Sequence, residues 1–376
     1  MEMREIVPCL IGHPFAPIGR GEDVRCTFRA LQAAAMSSTV LDMYGANAPD
    51  PDLLAELEPS LATSPGAVNI FHLNGDEVAQ AFKTLGNRLP ADAYNIVYPA
   101  WELSNYPAAW AEQLNRFNEI WAPSQFIYDA LRPVVTKPLH RMPLACDVVL
   151  SEFRSRRYFG IPESSCAFLF FFDLRSYSTR KNPMAVIQAF ERLRASHPML
   201  DVCLVLKLHG ADSLPETADK IKEIAAAAHG RIVLIDQEVS DNDVKNLVRC
   251  CDVFVSLHRS EGFGRGLAEA MSLSKPVVAT AYSGNLDFMD ADTACLVGYD
   301  LIPVNEGEYP FHEGQVWADA HVDEATSYLE ALATNPNLRE NLGLRAKLKV
   351  RAAIGYRSAG LRYRQQLEES LRRRQG

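Results

Sequence analysis

Short apolar runs alternate with longer stretches of helical spacing along most of this chain. In the first part, the apolar runs predict strands at residues 6–11, 68–73, 94–98 and 119–122. Stretches that place apolar residues on one helical face, such as 23–35 and 77–85, lie between them. This alternation is a βα pattern, which is typical of an α/β domain.

A second series begins after a polar and basic stretch at residues 151–157. Its predicted strands are residues 168–173, 202–208, 232–235, 253–257 and 277–281. These runs are continuously apolar, as in parallel strands that are buried on both faces. The sequence therefore predicts a second α/β domain, with a hinge near residues 149–161.

The chain has 376 residues, more than one compact core usually holds. We expect an N-terminal domain at 1–155, a second domain at 156–350, and a helical C-terminal segment at 351–376 that packs back on the first. The predicted fold class is α/β, with two Rossmann-like domains that face each other across a cleft. Residues 335–375 are rich in arginine and lysine, which fits either a solvated helical face or a contact with a membrane surface.

The overall composition limits the kinds of partner. The formal net charge is −9, which argues against a nucleic-acid partner because phosphate backbones require a dense basic face. Eight cysteines are present without any C-x-x-C spacing, and residues 1–8 lack the features of a secretory leader. We expect a cytoplasmic protein with a small or lipid-linked substrate.

The most informative motif is S-E-G-F-G-R-G-L-A-E-A-M at residues 260–271, directly after the predicted strand 253–257. Ligands of open parallel sheets bind beyond the carboxyl ends of the strands. Glycines let a ligand approach the backbone, and the start of the next helix attracts an anion. The motif thus has the outline of a cradle for a diphosphate and a sugar, and its predicted ligand contacts are Ser260, Gly262, Phe263, Gly264, Arg265, Gly266 and Leu267.

Glu261 and Glu269 in this motif resemble the E-x7-E pattern of the retaining family-4 glycosyltransferases, also called glycosyl transferases group 1. The resemblance implies the GT-B fold and the transfer of a sugar from a nucleotide-sugar donor with retention of anomeric configuration. It also implies that Glu261 orients the donor sugar as a catalytic residue, while Glu269 reaches the ribose diol.

Residues 172–183 resemble the basic loop that opens the donor domain of this family. By spacing, Arg175 and Lys181 take the positions that bind the donor diphosphate, and Arg180 is the alternative arginine. A departing nucleoside diphosphate gains negative charge, which two fixed cations stabilise without a metal. We therefore expect no metal and no cofactor, the nucleotide sugar being a substrate.

Three further loops match the family. Residues 277–287, with Gly284, resemble the loop that closes over the donor, and Gln237 and Val239 fall where backbone groups contact the base. In the first domain, Gly19 and Gly21 resemble the glycine loop beneath the donor phosphates, although a simple turn explains them equally.

Residues 94–107 and 119–124 are similar to a subgroup that assembles surface polysaccharides and glycolipids, and matching segments run from residue 8 to 332. This likeness favours GDP-mannose, with UDP-linked hexoses as the alternative, and a glycan or lipid-linked acceptor. Many members carry a histidine at a strand end where this chain has Trp101 and Glu102. Glu102 is therefore a candidate base for the acceptor hydroxyl, and His72 is the other counterpart.

Three other interpretations stay open. Asp241–Asp243 and Asp290–Asp292 have the D-x-D form of metal-dependent transferases, although Ser240 and the acids after it also fit a helix start and residues 290–292 a loop. A sugar-nucleotide epimerase would keep the fold and change the chemistry. A non-catalytic scaffold would keep the fold and nucleotide-sugar binding alone.

Overall fold

The computed structural model describes residues 6–45 and 50–375. The chain divides into two compact units, unit 1 with Met1–Asp147 and Arg351–Gly376, and unit 2 with Val148–Val350. The expectation about a leader rests largely on residues 1–5, which lie outside the described residues. Each unit is an α/β structure built on its own sheet.

Unit 1 contains a six-stranded parallel sheet in the order β2-β1-β3-β4-β5-β6. Its strands are β1 (Cys9–Gly12), β2 (Thr39–Asp42), β3 (Val68–Phe71), β4 (Tyr94–Val97), β5 (Glu119–Ala122) and β6 (Leu139–Arg141). Its helices, apart from the C-terminal one, are α1 (Gly19–Ala33), α2 (Pro51–Leu57), α3 (Val78–Leu85), α4 (Ala108–Leu114) and α5 (Gln125–Leu131).

Unit 2 contains a second six-stranded parallel sheet, in the order β12-β11-β10-β7-β8-β9, and an antiparallel pair formed by β13 and β14. Its strands are β7 (Cys166–Asp173), β8 (Val202–His209), β9 (Ile232–Ile235), β10 (Val253–Ser256), β11 (Val277–Thr280), β12 (Cys295–Val297), β13 (Tyr299–Pro303) and β14 (Val316–Ala320). Its helices are α6 (Ser178–Lys181), α7 (Pro183–Ser196), α8 (Pro215–Ala227), α9 (Asp241–Cys250), α10 (Arg265–Ser272) and α11 (Val322–Thr334).

The two C-terminal helices are α12 (Pro336–Ile354) and α13 (Tyr356–Gln375), and the division between the units falls inside α12. Within unit 1, α13 packs on α1. Contact is so close at Gly360 that an added Cβ would lie 1.8 Å from the carbonyl oxygen of Ala30. Tyr363 on α13 donates a hydrogen bond to the carbonyl of Pro143 at 2.7 Å. Among the described residues, no helix is both long and apolar enough to cross a bilayer.

The predicted α/β class with two units is confirmed, and all nine predicted strands are present with ends shifted by up to three residues. The sequence analysis missed β2, β6, β12 and the β13–β14 pair. These strands have three to five residues each, too few for a clear periodic signal. The stretch at 151–157, predicted to lie in a hinge region, is bonded within unit 2, where Arg154 pairs with Asp243 and Arg156 with Asp252.

A buried carboxyl group in unit 1 fastens α13 to the sheet. Glu119 on β5 is 1% exposed. Its side chain accepts hydrogen bonds from Tyr94 at 2.8 Å, Trp121 at 2.6 Å, Gln366 at 3.0 Å and Ser370 at 2.5 Å. The last two donors belong to α13, so this one side chain joins β4, β5 and the C-terminal helix.

We predict that Glu119→Ala destabilises unit 1 by about 3 kcal/mol or more, because it leaves several buried donors without an acceptor. Urea unfolding followed by tryptophan fluorescence measures this change. The matched control is Glu368→Ala on α13, which removes a partly exposed pair with Arg364 and should change stability by less than about 0.5 kcal/mol. An equally small effect of Glu119→Ala would contradict this account of the helix attachment.

Candidate active site

The glycine-rich loop links β10 to α10 at the carboxyl edge of the unit 2 sheet. Gly264, at the N-cap of α10, has φ +93°, in the left-handed region that favours glycine. At Gly266, an added Cβ would lie 2.8 Å from the ring of Phe171 on β7. The two glycines therefore let the chain turn sharply and let α10 pack directly on the sheet.

The loop after β11 docks on this glycine-rich loop. Gly284 donates its backbone N–H to the carbonyl of Glu261 at 2.8 Å, and an added Cβ at Gly284 would lie 2.0 Å from the carbonyl oxygen of Gly262. The Ser283 hydroxyl accepts the N–H of Glu261 at 2.8 Å. Ser283 has φ +75° and ψ −148°, a conformation that costs a non-glycine residue free energy. This strained loop fixes the backbone of Glu261.

The side chain of Glu261 lies between two cations of α6, the short helix that follows β7. Lys181 Nζ is 2.5 Å from Glu261 Oε1, and Arg180 Nη1 is 3.4 Å from Oε2. Burial raises the pKa of Glu261, but the charges of Lys181 and Arg180 lower it by more, to about 2. Glu261 is therefore an ionised carboxylate near neutral pH, held in place by charge and hydrogen bonding.

The two candidate arginines occupy different surroundings. Arg180 has a side chain only 4% exposed and donates to the carbonyls of Ser260, at 2.8 Å, and Ser176, at 3.2 Å. Arg175 is 48% exposed and forms a two-point ion pair with Asp173 at 3.0 Å. Arg180 thus supports the glycine-rich loop from within, whereas Arg175 presents its guanidinium at the surface.

The other predicted donor residues of unit 2 surround this centre. Ser260 is fully buried, and its hydroxyl has no hydrogen-bond partner among the described residues. Arg265 lies over the ring of Phe263, 5.7 Å from its centroid, and Glu269 is 8% exposed in the second turn of α10, where Leu267 is also buried. The predicted base-reading residues, Gln237 and Val239, follow β9 in an exposed to half-buried loop.

A buried histidine beneath the centre was missed by the sequence analysis. His258 follows β10 and is fully buried. Its Nδ1 lies 3.1 Å from the Ser256 hydroxyl, and its Nε2 lies 3.2 Å from the amide oxygen of Asn285. Burial lowers the pKa of His258, with Glu261 opposing the shift, so the imidazole is a neutral link between the two loops. Its position two residues before the S-E-G motif was the available sequence signal.

In unit 1, contacts within the protein surround the residues that the sequence predicted for the site. Gly19 begins α1, and an added Cβ at Gly21 would lie 2.2 Å from the carbonyl oxygen of Ala16. The close turn therefore explains Gly21 without a ligand. Trp101 is 1% exposed, with its Nε1 donating to Asn105, and the neighbouring Glu102 is half-buried.

Aromatic packing explains Trp101, whose ring contacts those of Tyr106 and Trp110 at centroid distances of 5.3 and 5.5 Å. The other histidine candidate, His72, is fully buried after β3, with its ring 5.3 Å from that of Tyr98. Both side chains are thus packed inside unit 1.

A partly exposed polar cluster in unit 1 was also missed. The ring of His13 is stacked on that of Tyr44 at 3.6 Å, and its Nε2 lies 3.3 Å from a carboxyl oxygen of Glu77. Tyr44 donates to the same oxygen at 3.1 Å, and the backbone N–H of Asn74 donates to the other at 2.7 Å. These residues follow β1, β2 and β3, so only the folded sheet brings them together.

The first D-x-D segment is used as a helix start. Ser240 caps α9 by accepting the N–H of Asp243 at 3.1 Å, as the sequence predicted. Asp241 pairs with Lys245 at 2.5 Å, and Asp243 pairs with Arg154 at 3.0 Å. Both carboxylates thus have cationic partners within the protein.

The second D-x-D segment lies in the loop before β12, as predicted. Asp290 accepts the Thr293 hydroxyl at 2.7 Å and pairs with Lys349 at 3.0 Å. Across the described parts of the chain, no three histidine, cysteine or acidic side chains are grouped as a metal site.

Part of unit 2 matches a known protein family. Residues 167–300 match the family model of glycosyl transferases group 1. No curated protein matches the chain by sequence.

Solved structures match this chain over most of its length. Anabaena HepE, in complex with UDP and glucose, has a TM-score of 0.70 and 13% identity, over 96% of this chain and 99% of that chain. A glycosyltransferase from Rickettsia africae has a TM-score of 0.62 and 13% identity, over 98% and 99% of the two chains. The pneumococcal O-GlcNAc transferase GtfA, in complex with UDP and GlcNAc, has a TM-score of 0.55 and 15% identity, over 81% and 57%.

These likenesses give the chain the GT-B fold that the sequence predicted. Together, the family match and the fold support a glycosyltransferase, with a glycosyl transferases group 1 domain at residues 167–300.

Proposed function

We propose that this chain is a retaining, metal-independent glycosyltransferase of family 4 that transfers a hexose from a nucleotide sugar to a glycan or glycolipid. The observation that carries the proposal is the buried Glu261 carboxylate, fixed by Lys181 and Arg180 where the loops after β7, β10 and β11 meet. The carboxylate can accept hydrogen bonds from sugar hydroxyls, and the nearby glycine backbone and the partly exposed cations Lys181 and Arg175 can bind a diphosphate.

Glu261 acts by orientation. Its pKa of about 2 makes it unsuitable as a proton donor near pH 7, but an ionised carboxylate accepts hydrogen bonds from sugar hydroxyls well. The acceptor hydroxyl attacks the anomeric carbon on the face from which the diphosphate leaves, and the leaving phosphate takes the proton. This differs from glycoside hydrolysis, where two carboxyl groups take part in the chemistry.

Lys181 and Arg175 stabilise the leaving diphosphate. Lys181 has a side chain 20% exposed and Arg175 one 48% exposed, so both cations are accessible to a ligand. Each pairs with a carboxylate, and both can shift part of their interaction to phosphate oxygens as negative charge develops there. Arg180 keeps Glu261 in place during this exchange.

For the donor, we propose a UDP- or GDP-linked hexose. HepE and GtfA were solved with UDP, which favours UDP, whereas the subgroup likeness at residues 94–107 favours GDP-mannose. The acceptor is a glycan or lipid-linked glycan of a surface polysaccharide or glycoconjugate, made in the cytoplasm.

We also propose that the chain touches the inner face of the membrane through α12. This helix exposes Leu344 and Leu348, at 53% and 61%, next to the exposed cations Lys347 and Arg351. Aliphatic and basic side chains on one exposed face suit an anionic lipid surface. Vesicles containing anionic lipid should bind the wild type more strongly than they bind a Leu344→Ser, Leu348→Ser variant.

We predict that one of UDP and GDP binds to the wild type and raises its melting temperature equally with magnesium and with a chelator. Lys181→Ala should weaken that binding about tenfold or more, because a charge-assisted contact to phosphate is lost. Calorimetry measures both, and the control is Lys220→Ala, an exposed lysine on α8. Binding that requires magnesium would overturn metal independence, and no binding of any nucleotide would overturn the proposal.

We predict that Glu261→Gln and Lys181→Ala each lower turnover by about two orders of magnitude, because donor orientation and leaving-group stabilisation are lost. Turnover is measured as release of the nucleoside diphosphate, and NMR of the product identifies the anomeric configuration. An inverted product would refute retention. Full activity in either folded variant would move the reaction away from this site.

The contribution of Glu261 to the free energy of unfolding should depend on pH. Its pKa is about 2 in the folded chain against an ordinary value of 4.5, so its ionisation stabilises the fold above pH 4.5, an effect lost as the pH falls toward 2. The difference in unfolding free energy between wild type and Glu261→Gln should therefore narrow from about pH 6 to about pH 3.5. Urea titrations at each pH test this, with the exposed Glu340→Gln as control. A difference that widens in acid would contradict the ion-pair description.

A further inference from the structure

A lysine side chain is buried in the unit 2 sheet, and its hydrogen bonding is incomplete. Lys207 lies on β8, opposite Phe171 on β7 and Ile235 on β9, and is 5% exposed. Its ammonium group has three N–H donors. Among the described residues, its only hydrogen-bond partner is the backbone carbonyl of Leu208, and no carboxylate lies within ion-pair distance. A buried ammonium with so few acceptors is costly to the fold.

A second incompletely bonded side chain lies two residues further along the strand. His209 projects from the same face of β8 as Lys207, because side chains alternate along a strand. Its Nε2 is buried and has no partner in the described part of the chain. Burial lowers the pKa of His209, with Asp173 opposing the shift. The imidazole is therefore neutral near pH 7, and one of its nitrogens is a hydrogen-bond acceptor.

Both side chains lie where a nucleotide base is expected. They are at the carboxyl end of β8, the edge at which parallel sheets bind ligands. In the sheet, His209 is opposite Asp173, the partner of Arg175, and Lys207 is opposite Ile235, the last residue of β9 before the predicted base-reading loop. The pair is thus next to Arg175, a proposed diphosphate ligand, and to the loop after β9.

We propose that Lys207 and His209 read the edge of the donor base, with Lys207 donating to a ring carbonyl oxygen and His209 Nε2 accepting from the adjacent ring N–H. This inference rests on the proposed function and assigns two side chains to the recognition of the donor base. Uracil and guanine both present a carbonyl oxygen beside a ring N–H. Cytosine and adenine present an amino group beside an unprotonated ring nitrogen, the reverse order of donor and acceptor.

Ligand pairs that differ mainly at this edge provide the first test. Calorimetry with the wild type compares UDP with CDP and GDP with ADP. Whichever of UDP and GDP binds should do so at least about tenfold more tightly than its counterpart, because a site built to hydrogen-bond an edge rejects one that leaves its polar groups unpaired. Equal affinity within that pair would overturn the inference and leave the proposed function intact. If the wild type binds no nucleotide, both fail.

Two variants separate base recognition from a structural role. Lys207→Met removes the incompletely bonded charge while keeping the length of the side chain. Without nucleotide, the melting temperature of this variant should be unchanged or higher. Its affinity for the favoured nucleotide should fall about tenfold or more, so the ratio of the affinities for the two nucleotides of the pair should approach one. The matched control is Lys245→Met, since Lys245 is 3% exposed but paired with Asp241. It should lower the melting temperature and leave the ratio unchanged.

Opposite results would overturn the assignment. A Lys207→Met variant that loses stability as Lys245→Met does, and keeps the wild-type ratio between the paired nucleotides, would make Lys207 a structural lysine. His209→Phe provides the second variant if Lys207→Met does not fold. This substitution removes the ring nitrogen that accepts the hydrogen bond, so it should by itself lower the ratio of the affinities for the paired nucleotides. A ratio that stayed at the wild-type value would refute the proposal.

Discussion

The candidate site depends on the ion pair between Lys181 and Glu261, two residues 80 positions apart in the sequence. They meet because β7 and β10 are neighbours in the sheet, so the loops that follow these strands emerge side by side. A buried carboxylate is costly unless it is paired and hydrogen-bonded. Glu261 is compensated by Lys181 and Arg180, and its backbone is held by the strained loop at Ser283. Three loops thus support one carboxylate, and removing either cation would leave it buried without full compensation.

Local patterns in the sequence predicted the parts of unit 2 that local chemistry determines. The glycine-rich motif follows a buried strand and begins a helix, and each of these features is readable within about 20 residues. The contact between Arg180 and Glu261 could not be read in this way, because the family likeness concerned only which arginine binds the diphosphate. Arg175 matches the family spacing, yet it pairs with Asp173 two residues away, while Arg180 fills the buried position. His258 was missed because its partner Asn285 comes from another strand end.

In unit 1, the sequence did not predict which side chains the fold brings together, for a physical reason. Its strands and helices follow the βα pattern, but the side chains of a binding surface come from loops that only the folded sheet brings together. Trp101 and Glu102 were candidates because they stand where many family members have a histidine. In the structure, Trp101 is packed against Tyr106. The cluster of His13, Tyr44 and Glu77 has no motif, because its members follow three different strands.

Glu261 and Lys207 represent two ways of keeping a charge buried at the edge of one sheet. The cost of burying Glu261 is met within the protein, so its removal should harm the free protein as well as the reaction. Lys207 has acidic residues at a distance and one carbonyl in contact, so its cost is only partly met before a ligand arrives. A side chain such as Lys207 lowers the stability of the free protein and so increases the gain in stability when a ligand binds. This is the usual relation between strain and function at binding sites. The effect of a substitution on the stability of the free and the bound protein therefore distinguishes two classes of residue: those that stabilise the free site and those whose hydrogen bonds are completed only by the ligand.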